Sequence, residues 1–116
     1  MQVILDTDFL LNSLKFKIDI FSEFNRILDA KFTVSILDKT LDELKGKKLE
    51  KLALAFIKEK DINIIKTDKL KKVDNLILDM TDKDTIVATQ DKGLKRELRA
   101  RNIKIITIRQ KTHLMI

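Results

Sequence analysis

The chain has no cysteine, proline, tryptophan or tyrosine, only two glycines (46 and 93), and a single histidine, His113. Each shortage closes a class of protein. Without cysteine there is neither a disulfide framework nor a thiolate metal site. With one histidine, an imidazole-rich metal centre is excluded too, so any bound cation must be held by oxygen, which favours Mg²⁺ or Mn²⁺. Phenylalanine is the only aromatic, with six copies. That argues against a base-stacking platform of the single-strand-binding kind, and a nucleic acid would be gripped mainly by its backbone. No apolar run nears the roughly 18–20 residues that cross a bilayer. The opening MQVILDTD lacks the basic start of a signal peptide and meets acids at once. A cytoplasmic protein without membrane contact is expected. No linker, repeat or low-complexity stretch divides the chain, so residues 1–116 read as one domain of ordinary length.

What is present in quantity is aliphatic side chain and charge. Hydrophobic residues make up 44%, enough for a packed core, and charged residues 36%. Lys and Arg total 24 against 18 Asp and Glu, a net charge of +6. A basic balance suggests a polyanionic partner, and equally fits solvated lysine-rich helix faces.

The apolar pattern alternates between short runs and helical stretches. QVIL at 2–5 is a continuous run of the kind that forms a buried parallel strand. Residues 8–17 and 20–30 carry helical spacing, with Ile20, Phe24, Ile27 and Leu28 on one face. FTVSIL at 32–37 is a second strand. Residues 38–60 read as helix, open to interruption at Gly46, where a mid-helix glycine costs about 1 kcal/mol relative to alanine. Its later part places Leu49, Leu52, Ala53, Phe56 and Ile57 on a buried stripe. Residues 63–65, 85–88 and 104–108 complete five strands, separated by helices at 73–80 and 93–101. Strands alternating with helices predict a three-layer α/β/α sandwich with a five-stranded parallel sheet. Ligands of such sheets bind outside the carboxyl ends of the strands.

Acids stand at those ends. Asp6 follows the first strand and Asp91 the fourth, and this topology makes the two strands central neighbours. Glu43 follows the second strand inside LDEL, and Asp74 the third, each expected near a helix N-terminus, where a negative charge gains about 0.3–1 kcal/mol. Gathered carboxylates repel and raise each other's pKa values; divalent cations remove that cost and polarise a phosphodiester. Taken singly, Asp6, Asp74 and Asp91 are ordinary cap or turn residues and Glu43 an ordinary helix acid. The set, in a basic protein, points to phosphodiester hydrolysis.

These segments, ILDTDFLL at 4–11, LDEL at 41–44, VDNLIL at 73–78 and IVATQDKGLKREL at 86–98, resemble in order and spacing the four acidic motifs of PIN-domain nucleases. With the following KIITIRQ, the C-terminal segment looks closest to the archaeal and eukaryotic branch that processes small-subunit ribosomal RNA, and the toxins of toxin–antitoxin pairs are the near relatives by motif. The resemblance implies a Mg²⁺- or Mn²⁺-dependent endoribonuclease cutting single-stranded RNA. Asp6, Glu43, Asp74 and Asp91 would be both catalytic and metal-binding, and Thr89 would orient Asp91 or cap the next helix. It also implies partners: RNA, such as pre-ribosomal RNA, a second copy in a homodimer, and an antitoxin or a ribosome-assembly protein. Two positions depart from the family's pattern without removing a core acid. Asp8 reads first as the N-cap of the opening helix and second as an extra outer acid; Gln90 stands where Asn is common.

Beside Asp91, Lys92, Lys95, Arg96 and Arg99 share a helical side and are expected to contact the RNA backbone, the alternative being a solvated face, and Arg109 and Lys111 are secondary candidates for the same contact. His113 has no catalytic role in this reading. Three rivals use some of the same residues: an aspartyl-phosphate enzyme on the Asp6/Asp8 pair, a receiver-like domain accepting phosphate at Asp68, and a non-catalytic RNA-binding scaffold. The first wants a small or hydroxyl residue where Phe9, Leu10 and Leu11 stand, and the second leaves Glu43 and Asp91 without a role.

Overall fold

A computed structural model describes all 116 residues. The elements follow in the order β1 (Gln2–Leu5), α1 (Thr7–Lys15), α2 (Ile20–Ile27), β2 (Thr33–Leu37), α3 (Asp38–Leu44), α4 (Glu50–Glu59), β3 (Asn63–Ile65), α5 (Val73–Met80), β4 (Thr85–Ala88), α6 (Lys92–Ala100), β5 (Lys104–Arg109) and β6 (His113–Met115). One sheet runs β3-β2-β1-β4-β5-β6. The first five strands are parallel and β6 is antiparallel to β5. The expected five-stranded sheet therefore gains an antiparallel edge strand. No helix is long and apolar enough to cross a membrane.

The two most apolar runs occupy the centre. QVIL and TIVA pair side by side, Leu5 opposite Ala88, with both faces of each strand covered. On one face, Val3, Leu5, Ile86, Ala88 and Ile106 pack with Phe9, Leu10 and Phe24 of α1 and α2 and with Ala53 and Ile57 of α4. On the other, Ile4, Leu37 and Val87 pack with Val73, Leu76 and Ile77 of α5 and Leu94 and Leu98 of α6. Alternate residues of one strand thus serve two cores, which is why these strands are apolar throughout rather than at every second position.

The long helix read over 38–60 is two. α3 stops at Leu44, and Gly46, with φ of +77°, turns the chain through a left-handed conformation that costs glycine little. The Glu50 carboxylate accepts from the Gly46 N–H at 3.0 Å and locks the turn. Leu52, expected on the buried stripe of α4, is half exposed, because the buried line of the helix runs through Ala53 and Ile57 and leaves Leu52 at its edge.

β6 escaped the sequence reading because three residues carry no detectable period. It is held by α2 instead. The Leu114 N–H donates to Glu23 Oε1 at 2.8 Å, Arg26 Nη2 donates to the Leu114 carbonyl at 2.8 Å, and Arg26 and Glu23 pair with each other. This clasp satisfies outward-facing backbone groups that would otherwise invite another strand.

A candidate metal and phosphodiester site at the carboxyl edge

The order of strands reverses between β1 and β4: β2 and β3 lie to one side, β5 and β6 to the other. A crevice opens above such a switch point. The ladder extends into it, for the Asp6 N–H donates to the Ala88 carbonyl (2.9 Å) and the Thr89 N–H to the Ile106 carbonyl (3.1 Å). A cleft of about 430 Å³ lies there, lined by Asp6, Thr7, Asp8, Glu43, Lys47, Lys72, Val73, Asp74 and Asp91. All four acids singled out from the sequence, carried on four separate segments, share it with Asp8.

Asp6 is the buried member, 8% exposed. It caps α1, its Oδ1 accepting from the Thr7 N–H at 2.9 Å, while Oδ2 accepts from the Thr89 hydroxyl at 2.9 Å. Burial nevertheless pushes its carboxyl up to about 6; the Thr89 and Thr7 donors pull downward, and the neighbouring charges of Asp8 and Asp91 add to the rise. Two expectations change here. The N-cap of α1 is Asp6, so Asp8 is an exposed acid of the first turn that lines the cleft rather than a cap. Thr89 gives its hydroxyl proton to Asp6, not to the Asp91 carboxylate, and accepts from the Asp91 backbone N–H at 3.1 Å. One buried hydroxyl thus links the ends of β1 and β4.

Glu43 sits in the last turn of α3, because that helix ends one residue later. It gains nothing from a helix N-terminus. The Thr7 hydroxyl supports it instead, donating to Oε1 at 2.5 Å, and the Thr40 hydroxyl lies 3.3 Å from that of Thr7. Asp74 lies in the first turn of α5, where the dipole does favour a carboxylate, and it accepts only from the adjacent Asn75 N–H. Asp91 caps α6, Oδ1 accepting from the Leu94 N–H at 2.7 Å.

The segment leading to Asp74 is fastened to α3. Asp38 accepts from both the N–H and the hydroxyl of Thr67, Lys39 donates to the Lys69 and Lys71 carbonyls, and Lys69 pairs with Asp42 at 3.1 Å. The Thr67 donors hold the Asp38 carboxyl below its ordinary value. The helix bearing Glu43 therefore also positions the loop bearing Asp74.

Lys47 and Lys72 were not singled out from the sequence, although KGKK and KLKKVD flank the relevant acids. Both line the cleft, and neither forms an ion pair. Lysine runs on a lysine-rich chain carry no positional signal; only the turn at Gly46 and the fastening of residues 67–71 bring these two inward.

No three acids are gathered tightly enough to ligate a single ion, since each rests on a hydrogen-bond donor of its own. The donor set nonetheless fits a hard divalent cation: it is all carboxylate oxygen, and its buried member carries a repulsion that positive charge would cancel.

A sequence model described as a PIN like domain matches residues 3–111 of the chain. Ribonuclease VapC4 of Methanocaldococcus jannaschii is 32% identical over 126 aligned residues, which cover 99% of this chain and 95% of that protein. The solved structure of the PIN domain endonuclease Utp24 superposes with a TM-score of 0.83 at 31% identity, covering 97% of this chain and 88% of that one.

Proposed function

The chain belongs to the PIN-like domain family, and on that premise we propose that residues 1–116 act as one domain, a Mg²⁺- or Mn²⁺-dependent endoribonuclease that hydrolyses single-stranded RNA. One observation carries the reading: four acids from four segments, and two lysines free of ion pairs, line a single cleft at the strand-order switch point. The names of the relatives, a ribonuclease and an endonuclease, support the same chemistry.

In this reading Asp6, Glu43, Asp74 and Asp91 hold the cation. When bound, it supplies Lewis-acid charge to the phosphodiester and lowers the pKa of the attacking water. The chain's own residues do the remaining work. Thr89 and Thr7 fix the Asp6 carboxylate by a donor to each oxygen, and Thr7 also fixes Glu43, so two of the four acids are oriented before substrate arrives. Lys47 and Lys72 neutralise phosphates on either side of the scissile one, and being free of ion pairs they need break none to do so. Asp8, at the mouth, modulates the local field.

The cellular role proposed first is ribosomal RNA processing, supported by the likeness of the C-terminal segment and by the structural match to the endonuclease Utp24. The ribonuclease VapC4 match favours a second role, a toxin with an antitoxin partner. Induced expression in a host lacking any partner separates them: a toxin arrests growth, a processing enzyme does not. The activity itself is tested with end-labelled single-stranded RNA and DNA in Mg²⁺, Mn²⁺ or EDTA. Metal-dependent internal cleavage of RNA is expected. RNA binding without cleavage in any metal would leave a scaffold and end the enzymatic reading.

A further inference from the structure

The helix layer that carries α5 and α6 does not extend over the whole sheet. It covers β1, β2 and β4 and stops at α6, leaving the outward part of β5 and all of β6 without a helix above them on that face. A groove of about 260 Å³ results. Ile105, Thr107, Met115 and Ile116 line it, with Arg99 and Arg109 at its sides and no acid among the lining residues. Met115 and Ile116 are about half exposed, so the groove has an apolar floor open to solvent. Its volume falls short of the about 300–1,000 Å³ that encloses a whole small-molecule ligand, so an occupant must lie along it.

The charge around this groove is one-sided. Lys92, Lys95, Arg99 and Arg109 form no ion pair with any acid of the chain. They crowd one another: the Lys95 ammonium is held below its ordinary value by burial and then by Arg99, Arg109 and Lys92. Such repulsion is relieved by an anion with several charges at spaced positions. The stripe also begins at the acidic cleft. Asp91 caps the helix that carries Lys92, Lys95 and Arg99, and eight residues at 1.5 Å each place Arg99 about 12 Å along the axis from Asp91. Arg109 ends β5, and Gln90, next to Asp91, bonds both ways to the Ile108 backbone and fixes that strand end to the site.

We propose that this groove is a second RNA subsite, in which Arg99 and Arg109 bind backbone phosphates a few nucleotides from the scissile bond while the apolar floor takes the face of a sugar or base. This rests on the ribonuclease reading and deepens it. It joins the basic side of α6 and the end of β5 into one RNA-contacting track. Arg96 is not among the residues that line the groove. The same surface could attract an acidic protein segment; the one-sided charge leading away from a phosphodiester site favours RNA.

The test uses the full chain with Arg99→Glu and Arg109→Glu combined. The conservative pair Arg99→Lys and Arg109→Lys keeps the charge, and Lys51→Glu with Lys58→Glu on α4 is a control of equal charge change. Melting curves establish that each is folded. Binding of a fluorescent long single-stranded RNA is followed in EDTA across a salt series, and cleavage of the long RNA and of a tetranucleotide is followed with Mn²⁺. The Arg→Glu pair is expected to weaken long-RNA affinity at least about tenfold. It should also flatten the salt dependence by roughly 1.4, at about 0.7 per lost phosphate contact on a single strand. Tetranucleotide cleavage should fall less than long-RNA cleavage, and the Arg→Lys pair should keep most of the affinity. Unchanged affinity, or an equal loss in the α4 control, would overturn the subsite. Loss of polyglutamate binding with RNA affinity intact would overturn it in favour of an acidic protein partner. If the wild type cleaves neither RNA, the ribonuclease reading fails, while the binding comparison still decides whether the groove holds RNA.

Discussion

Replacing Asp6 by Asn should make the metal-free protein more stable at high pH and less stable at low pH. The Asp6 carboxyl has an ordinary value of 3.8 and is pushed up to about 6, chiefly by burial. A group whose pKa is higher folded than unfolded binds more protons in the folded state between those two values. Stability therefore falls as pH rises through that window, and the cost is fully present above about 6. At 1.36 kcal/mol per pH unit the rise corresponds to about 3 kcal/mol at most. Asn carries no charge and escapes that cost. It gives back about 1 kcal/mol, because its amide nitrogen cannot accept from one of the two donors, Thr7 N–H or the Thr89 hydroxyl, that the carboxylate satisfies. The net gain is about 1–2 kcal/mol at pH 8, or roughly 4–8 °C in Tm for a chain of this length, turning to a small loss at pH 4. Melting curves of both proteins in EDTA at pH 4, 6 and 8 measure it. In excess Mn²⁺ the order should invert, because only the wild type keeps the full set of ligands and gains the linked binding energy. A Tm difference that does not vary with pH would refute the assignment of a strained, buried carboxylate.

Other perturbations follow from the same geometry. Thr89→Val removes the hydroxyl that draws the Asp6 pKa downward; the acid limb of metal-dependent cleavage should move to higher pH, read from a pH–rate profile at a fixed, subsaturating metal concentration. Lys47→Met and Lys72→Met should each raise KM for RNA several-fold with kcat little changed, since they meet phosphates and not the reacting atoms; steady-state kinetics at two salt concentrations distinguishes this from a loss of chemistry. In Gly93→Ala the new Cβ would stand 3.3 Å from Asp91 Oδ1; the helix gains up to about 1 kcal/mol in propensity, so activity should fall several-fold while Tm holds or rises.

Much of the framework is legible in the chain because parallel strands buried on both faces leave uninterrupted apolar runs. QVIL, TIVA and KIITI mark three neighbouring strands, and the acids just beyond the first two then lie together by topology alone. What escaped depended on contacts distant in sequence. β6 pairs with β5 across a short turn, but its outer edge is fastened by the Glu23–Arg26 clasp from α2, about 90 residues away, and no local period announces it. Glu43 was expected at the favourable end of a helix, but α3 ends at Leu44, and a hydroxyl from α1 supports the carboxylate instead. Asp6 and Asp8 are equally plausible caps in the string DTD; the first is chosen because the ladder with β4 carries Asp6 inward, where its second oxygen meets Thr89. Lys47 and Lys72 were lost among 24 basic residues, since charge without an apolar period has no direction until the backbone supplies one.

Metal binding by the four acids underlies the proposed hydrolysis of RNA. Its most direct test is cleavage of an internally labelled single-stranded RNA across a Mn²⁺ titration, comparing the wild type with Asp6→Asn and with Asp91→Asn, and with calorimetric Mn²⁺ binding on the same samples. Metal-dependent cleavage by the wild type and a loss of at least about a hundredfold in each variant are expected. Mn²⁺ affinity should fall in parallel, with the fold intact by melting. Cleavage by Asp6→Asn at the wild-type rate, or undiminished Mn²⁺ binding in both variants, would contradict it.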